Sequence, residues 1–430
     1  MKNVFATIIF AVVAMTATAH TARQVGGDIS LLTKYETNGA QYYDLDGNRI
    51  TDMLSYLKQQ EWNAMRVRLF VDPTNSGDRA ACQDIEYVKA LGKRIKDAGF
   101  SLMLDFHYSD TWADPVKQWT PASWVSLSDA ELYTKIYDYT KDVLQQMNEA
   151  GATPDFIQTG NEISYGMLWG ASDGSSKKYY AGQSSNRDRF TKLLKQAGKA
   201  CREVCPNAKI VLHTERVANT NYAVNFYNDM KNAAVDYDII GLSFYSYYHG
   251  NLTQLETTLN SLETNFADKE IMIVEVGYFY AWQPTISSPG VDLSATYPIS
   301  PDGQKAYTEA LIATLNKHNK VVGLYWWWPE ACEYGLDWNT KRVSDGWYNA
   351  SLFNDDAKTT SAVGYTYPGG KAMPTVAVLK NFLTDTGILS ATGDKASWLG
   401  AWYTLNGQKL TGKPSQNGIY INNGRKVVVK

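Results

Sequence analysis

Eight apolar runs, each followed by a stretch with helical spacing, constrain this chain more than any other feature. They lie at residues 26–30, 64–71, 101–108, 155–162, 209–214, 238–245, 271–278 and 322–328. The runs are near-continuous rather than alternating, as strands buried on both faces of a parallel sheet require. The intervening segments space apolar side chains three and four apart, as in Ile50-Met53-Leu54-Leu57 and Val88-Leu91-Ile95. Asp302 is expected to cap the seventh helix, read from Gly303 to His318. Strand followed by helix, eight times over, predicts an α/β fold of the (β/α)8 TIM-barrel type. Catalytic groups in such a barrel sit at the C-terminal ends of the strands.

Two of the runs end on a carboxylate. Residues 155–158 lead into Thr159-Gly160-Asn161-Glu162, and Ile271-Met272-Ile273-Val274 leads into Glu275. A charge at the end of a buried strand is rare unless it is paired or functional. Either Glu alone could be half of a structural ion pair. Two at equivalent places match what a retaining glycosidase needs, an acid/base and a nucleophile facing each other across ~5–5.5 Å. In that reading Glu162 is the acid/base and Glu275 the nucleophile. Asn161 is placed to hydrogen-bond the sugar 2-hydroxyl.

A nucleophile must stay ionised, so it needs a cation or donors close by. Arg66 and Arg68 share one face of the second strand, and Arg68 is taken as the partner of Glu275. Tyr245, ending the sixth run, could donate to the nucleophile. The run from Asp105 to Pro115 is dense in polar and aromatic groups. It puts His107 at the barrel mouth on the face of Asp105, and offers Trp112 as a sugar platform. Trp326-Trp327-Trp328 ends the eighth run. One or two of these should face the barrel centre, with Trp328 assigned to the site.

Composition narrows the class. The chain has 430 residues, a net charge of −3, 13 Trp and 29 Tyr. That balance offers nothing to attract nucleic acid. Lys2, the short apolar run from Ile8 to Met15 and Ala17-Thr18-Ala19 read as a signal peptide over residues 1–19, so export is expected: secreted, periplasmic or at the cell surface. The run is too short to span a bilayer, and no membrane-spanning segment is expected. The spacing of Cys82, Cys201, Cys205 and Cys332 suits neither a zinc site nor a disulfide within one helix, so buried thiols are expected. Residues 20–385 make the barrel, 386–397 a small polar linker and 398–430 a β tail. Asn406-Gly407 and Asn423-Gly424 mark hairpins in that tail.

With these residues in place the chain resembles the endo-β-1,4-galactanases of glycoside hydrolase family 53, over roughly residues 26–383. The marks are Gly27-Asp28-Ile29-Ser30, Arg66-Val67-Arg68, the run Asp105 to Pro115, Gly160-Asn161-Glu162, Glu275-Val276-Gly277-Tyr278 and the run Trp326 to Glu330. The Asn-Glu and the later Glu are shared across a wide clan of retaining barrels. His107-Tyr108-Ser109-Asp110-Thr111-Trp112-Ala113-Asp114-Pro115 is the more specific mark. The resemblance implies Glu162 as acid/base, Glu275 as nucleophile, and Arg68, His107, Asn161, Tyr245 and Trp328 lining the subsite where the bond breaks. It implies β-1,4-galactan, the side chain of type I arabinogalactan in pectin, as substrate, and a monomer is expected. Val274-Glu275-Val276 stands where the family often has Ala-Glu-Thr. Some members hold calcium in a loop after the seventh strand. Here residues 283–300 offer mainly Asp292, against the six to eight oxygens calcium takes, so no metal or cofactor is expected. The competing readings are another endo-β-glycanase (mannan, xylan or glucan) and a carbohydrate-binding protein on the same barrel without catalysis.

Overall fold

The computed structural model describes residues 20–172, 176–179, 184–332, 347–354 and 370–384, together with parts of 402–429. The expected signal peptide and the 386–397 linker lie outside the described residues. The chain divides into two compact units, Met1–Thr384 and Asp385–Lys430.

The first unit is a closed barrel of eight parallel strands in sequence order. They are β1 (Gln24–Asp28), β2 (Ala64–Leu69), β3 (Ser101–Phe106), β4 (Phe156–Thr159), β5 (Lys209–Thr214), β6 (Ile239–Phe244), β7 (Glu270–Val276) and β8 (Val321–Trp327). All six residues of β2 and all seven of β8 are buried, which explains why the runs read as continuously apolar. Helices separate the strands. In Ile85–Asp97, Asp84 caps the first turn by accepting from the Tyr87 N–H, and Val88, Leu91 and Ile95 are buried at helical spacing. Asp129–Glu149 opens with a capping box between Ser128 and Glu131.

Two expectations are corrected. The helix before β8 runs Pro301–Leu315, and its cap is Ser300, whose hydroxyl accepts from the Gly303 N–H. Asp302 instead lies in the first turn, and Pro301 is the N1 residue that marks the start. The fourth strand stops at Thr159, short of Asn161 and Glu162. Gly160, at φ 104°, ends it; a Cβ there would come 2.6 Å from Ile163 Cγ2.

A plug of Ala64, Met103, Phe156, Val211, Ile239, Met272, Val274, Val322 and Tyr325 forms an apolar cluster drawn from β2 to β8. A larger core packs the helices onto the outside of the sheet. β9 (Phe353–Asn354) and β10 (Lys371–Ala372) pair as a small antiparallel ribbon. None of Cys82, Cys201, Cys205 and Cys332 forms a disulfide, and of the four only Cys82 is not buried. Among the described residues no helix is long and apolar enough to cross a membrane.

The second unit holds β11 (Trp402–Thr404), β12 (Lys409–Leu410), β13 (Gly418–Asn422) and β14 (Arg425–Val429). They form an antiparallel sheet in the order β12-β11-β13-β14. Asn422 pairs with Arg425, and the expected hairpin turns at Asn406-Gly407 and Asn423-Gly424 lie outside the described residues.

Candidate active site

The polar centre of the barrel is built on Arg66. Its side chain is fully buried, and its guanidinium meets Asp28 at 3.0 Å, Asp105 at 2.7 Å and Glu275 at 3.1 Å. It also donates to Gln158 Oε1 at 3.2 Å and Asn161 Oδ1 at 2.8 Å. One cation thus ties together side chains from β1, β2, β3, β4, β7 and the loop after β4. Burial alone would raise the Asp105 carboxyl, but Arg66 and His107 outweigh it and hold it below its ordinary range.

This corrects the assignment of Arg68 as the nucleophile's cation. Arg68 pairs with Asp28 at 3.0 Å, and its guanidinium lies 4.4 Å from the centre of the Trp112 ring. The two arginines alternate on one face of β2, so the sequence offered either; Arg66 is the one that reaches Glu275. Trp112 Nε1 donates to Asp78 Oδ2 at 2.7 Å, and its ring packs against Trp327 and Trp328. Trp326 donates to the Ala350 carbonyl and belongs to the outer core. Trp327, which the sequence reading left unassigned, lies 5.7 Å from the Arg66 guanidinium and joins Trp328 in the aromatic wall.

His107 and Asn161 brace the site. His107 Nδ1 accepts from the Ala113 N–H at 3.0 Å, and its Nε2 lies 3.1 Å from Asp105. The Ala113 carbonyl in turn accepts from Asn161 Nδ2 at 2.9 Å. The loop after β3 is therefore fastened to the Asn161-Glu162 segment, with His107 as its anchor.

Glu162 and Glu275 face each other. An oxygen of each, with a ring nitrogen of His213, all lie within 4.8 Å of one another. Ser243 Oγ stands between them, 2.7 Å from Glu162 Oε1, 3.4 Å from Glu275 Oε2 and 2.8 Å from His213 Nε2. A register shift between β6 and β7 sets Ser243 directly opposite Glu275. The ring nitrogens of His213 are occupied by Ser243 and Gln158, so this trio is not a free donor set for a metal. Burial, with Arg66 adding to it, keeps His213 neutral. Ser243 and His213 went unsuspected in the sequence. Each looks like an ordinary polar residue within an apolar strand, and only their pairing across β5 and β6 gives them away.

The two carboxyls differ in environment. Tyr245 donates to Glu275 Oε2 at 3.0 Å, and Arg66 lies beside Oε1, which accepts no hydrogen bond. Burial raises the Glu275 carboxyl, while Arg66 and Tyr245 pull against it. No cation is among the largest influences on Glu162. Burial, then the charges of Glu275 and Glu215, push it well above its ordinary range. Glu162 therefore keeps its proton at a pH where Glu275 has lost its own. That split, an acid beside an ionised carboxylate, is the division of labour that two-carboxylate hydrolysis uses.

Tyr108, Glu162 and Trp328 have φ of 49°, 47° and 54°, and each lies just past the end of a barrel strand. Non-glycine residues in this region cost about 1–3 kcal/mol each and gather where geometry is imposed by function.

A closed parallel barrel carrying two opposed glutamates at its C-terminal rim, set within 4.8 Å of each other, defines a glycoside hydrolase of the retaining geometry. Residues 24–365 match the model of Glycosyl hydrolase family 53, and the chain belongs to that family. It is 31% identical to the arabinogalactan endo-beta-1,4-galactanase A of Emericella nidulans, over 80% of this chain and 97% of that one. It is 30% identical to the endo-beta-1,4-galactanase of Bacillus subtilis, over 71% of this chain and 69% of the relative. Its fold is similar to the GH53 catalytic domain of Ignisphaera aggregans, with a TM-score of 0.69 and 31% identity, covering 83% of this chain and 94% of the other.

Proposed function

We propose that this chain is a retaining endo-β-1,4-galactanase, acting on internal bonds of galactan and type I arabinogalactan. The observation that carries the chemistry is the unequal pair: Glu275 held by Arg66 and Tyr245, Glu162 left protonated 4.8 Å away or less. The named relatives support the substrate. The Glu275 carboxylate attacks the anomeric carbon as Glu162 gives its proton to the departing glycosidic oxygen. A glycosyl ester on Glu275 results. Glu162, now ionised, takes a proton from water as that water attacks the same carbon, and Glu275 leaves as carboxylate. Two inversions give net retention.

The test is an assay of the chain from His20 on linear β-1,4-galactan, beside mannan, xylan and cellulose. A rapid fall in viscosity on galactan alone is expected. Activity on another glycan in place of galactan would overturn the substrate and keep the mechanism. Rate against pH should be bell-shaped. Activity falls on the acid side as Glu275 gains a proton and on the alkaline side as Glu162 loses one. Both carboxyls are raised, so both limbs should stand above the ordinary carboxylate range. A profile flat across neutral pH would contradict the assignment.

We also propose that the protein is exported and that residues 1–19 are removed. The basic Lys2, the apolar run and the small residues before His20 support this. Sequencing the N-terminus of the protein recovered outside the cytoplasm should read His-Thr-Ala; an uncleaved Met1 would refute it. The proposed enzyme needs no cofactor. Asp292 accepts from the Ser294 N–H and is the one acidic side chain of residues 283–300, too few oxygens to hold calcium there.

A further inference from the structure

The segment that carries Glu162 is held by a second group of residues with no part in the bond-breaking steps. Glu215 follows the last residue of β5, with its side chain only 10% exposed. Its Oε2 accepts from Ser164 Oγ at 2.5 Å, and its Oε1 lies 3.1 Å from Arg216 Nε. The Arg216 guanidinium sits 4.1 Å from the centre of the Tyr165 ring. Two residues before Glu215, the His213 carbonyl accepts from the Ile163 N–H at 3.0 Å, and His213 Nδ1 from the Glu162 N–H at 3.3 Å. Residues 162–165 are thus fastened to residues 213–216 at four successive points. The backbone at Glu162 is left-handed, at φ 47°, a conformation that persists only when its surroundings impose it.

We propose that Glu215 is a positioning residue for Glu162: with Arg216 it clamps the strained segment that carries the acid/base, and it sets a second buried carboxyl near it. The inference rests on Glu162 being the acid/base. A buried carboxylate close to a second one makes ionisation of the second harder. The groups facing Glu162 are Glu275 from β7, Asp114 from the segment after β3, Tyr245 and Tyr248 beyond β6, and His213 and Glu215 at the end of β5. Burial is the largest influence on Glu162, the charge of Glu275 the next, and Glu215 follows. Burial raises the Glu215 carboxyl above its ordinary range, and Arg216 and the Ser164 hydroxyl pull against that without outweighing it. Arg216 is itself occupied by Glu215 and Tyr165, so the cation steadies the clamp without pairing with Glu162.

Glu215→Gln removes the ionisable carboxyl and keeps an oxygen for Ser164. On galactan the alkaline limb of kcat/KM should move down by roughly one pH unit, with the acid limb moving less. On an aryl β-galactoside with a 2,4-dinitrophenyl leaving group, which departs without a proton, the first step should change by less than about threefold. Ser164→Ala keeps the carboxyl and loosens the clamp, so it should lower kcat on galactan without moving the alkaline limb. A folded Glu215→Gln protein whose alkaline limb stays put, or which loses rate equally on both substrates, would overturn the proposal. Glu162→Ala with azide checks the underlying reading by itself. Recovery of activity with a β-galactosyl azide product supports the acid/base role, and its failure would remove that role whatever Glu215 does.

Discussion

Glu275→Gln is expected to lower kcat on galactan by on the order of 10⁴-fold or more, because the attacking oxygen is lost outright. The fold should survive. The amide is close in size to the carboxyl, and its oxygen can still accept from Tyr245, 3.0 Å away. The sharper measurement uses Glu275→Gly and azide with an activated galactoside. Azide occupying the emptied face should give an α-galactosyl azide, the opposite anomer to that expected from the Glu162 variant. Each anomer reports which face lost its carboxylate, so the pair of products assigns both roles without reference to any relative. A Glu275→Gln protein with more than about one-tenth of the original activity would refute the nucleophile.

Arg66→Met should be the most damaging single change for stability. It leaves Asp28 and Asp105, both fully buried, without the cation they share, while Glu275 loses its counter-charge. Removing one partner from a buried ion pair costs about 3–5 kcal/mol, since the remaining charge has neither water nor a mate. For a barrel of this size the melting temperature should fall on the order of 5–10 °C. Arg68→Met removes one carboxylate contact rather than three and should cost less. Adding Asp105→Asn to Arg66→Met should recover part of the loss, because Asp105 meets no other arginine and one stranded charge goes with it, whereas Asp28 keeps Arg68. Equal melting temperatures for the two arginine variants would refute Arg66 as the hub.

The barrel was legible because physics leaves a strand buried on both faces little choice but an unbroken apolar run. Glu162 and Glu275 were legible for the complementary reason, as charges where such runs end. What pattern could not resolve was depth along one face. Arg66 and Arg68 differ by two residues and point the same way, and which one meets Glu275 depends on the register of β7, shifted at Ser243 and again before Val276. A pattern of hydrophobicity does not record such shifts. The same limit hid Ser243 and His213, whose roles exist only across a strand boundary. Ser300 and Asp302 can both cap a helix, and what separates them is Pro301 between them, which suits the first helical position and so makes Ser300 the cap. Glu215 carries no mark at all: a Glu before an Arg after a strand reads as surface, and only the fold buries it.

The arginine cluster also has a charge count that changes during turnover. Asp28, Asp105 and Glu275 bring three negative charges, Arg66 and Arg68 two positive ones, so the resting cluster carries an excess of one negative charge. In the proposed mechanism the sugar gains positive charge as the bond to the leaving group stretches. Once the proposed ester forms, Glu275 would be neutral, and two aspartates would remain against two arginines. The enclosed charges are then matched within the protein. The barrel centre is thus an electrical well that is deepest before reaction and filled by the sugar itself, and the water that later frees the product must restore the imbalance.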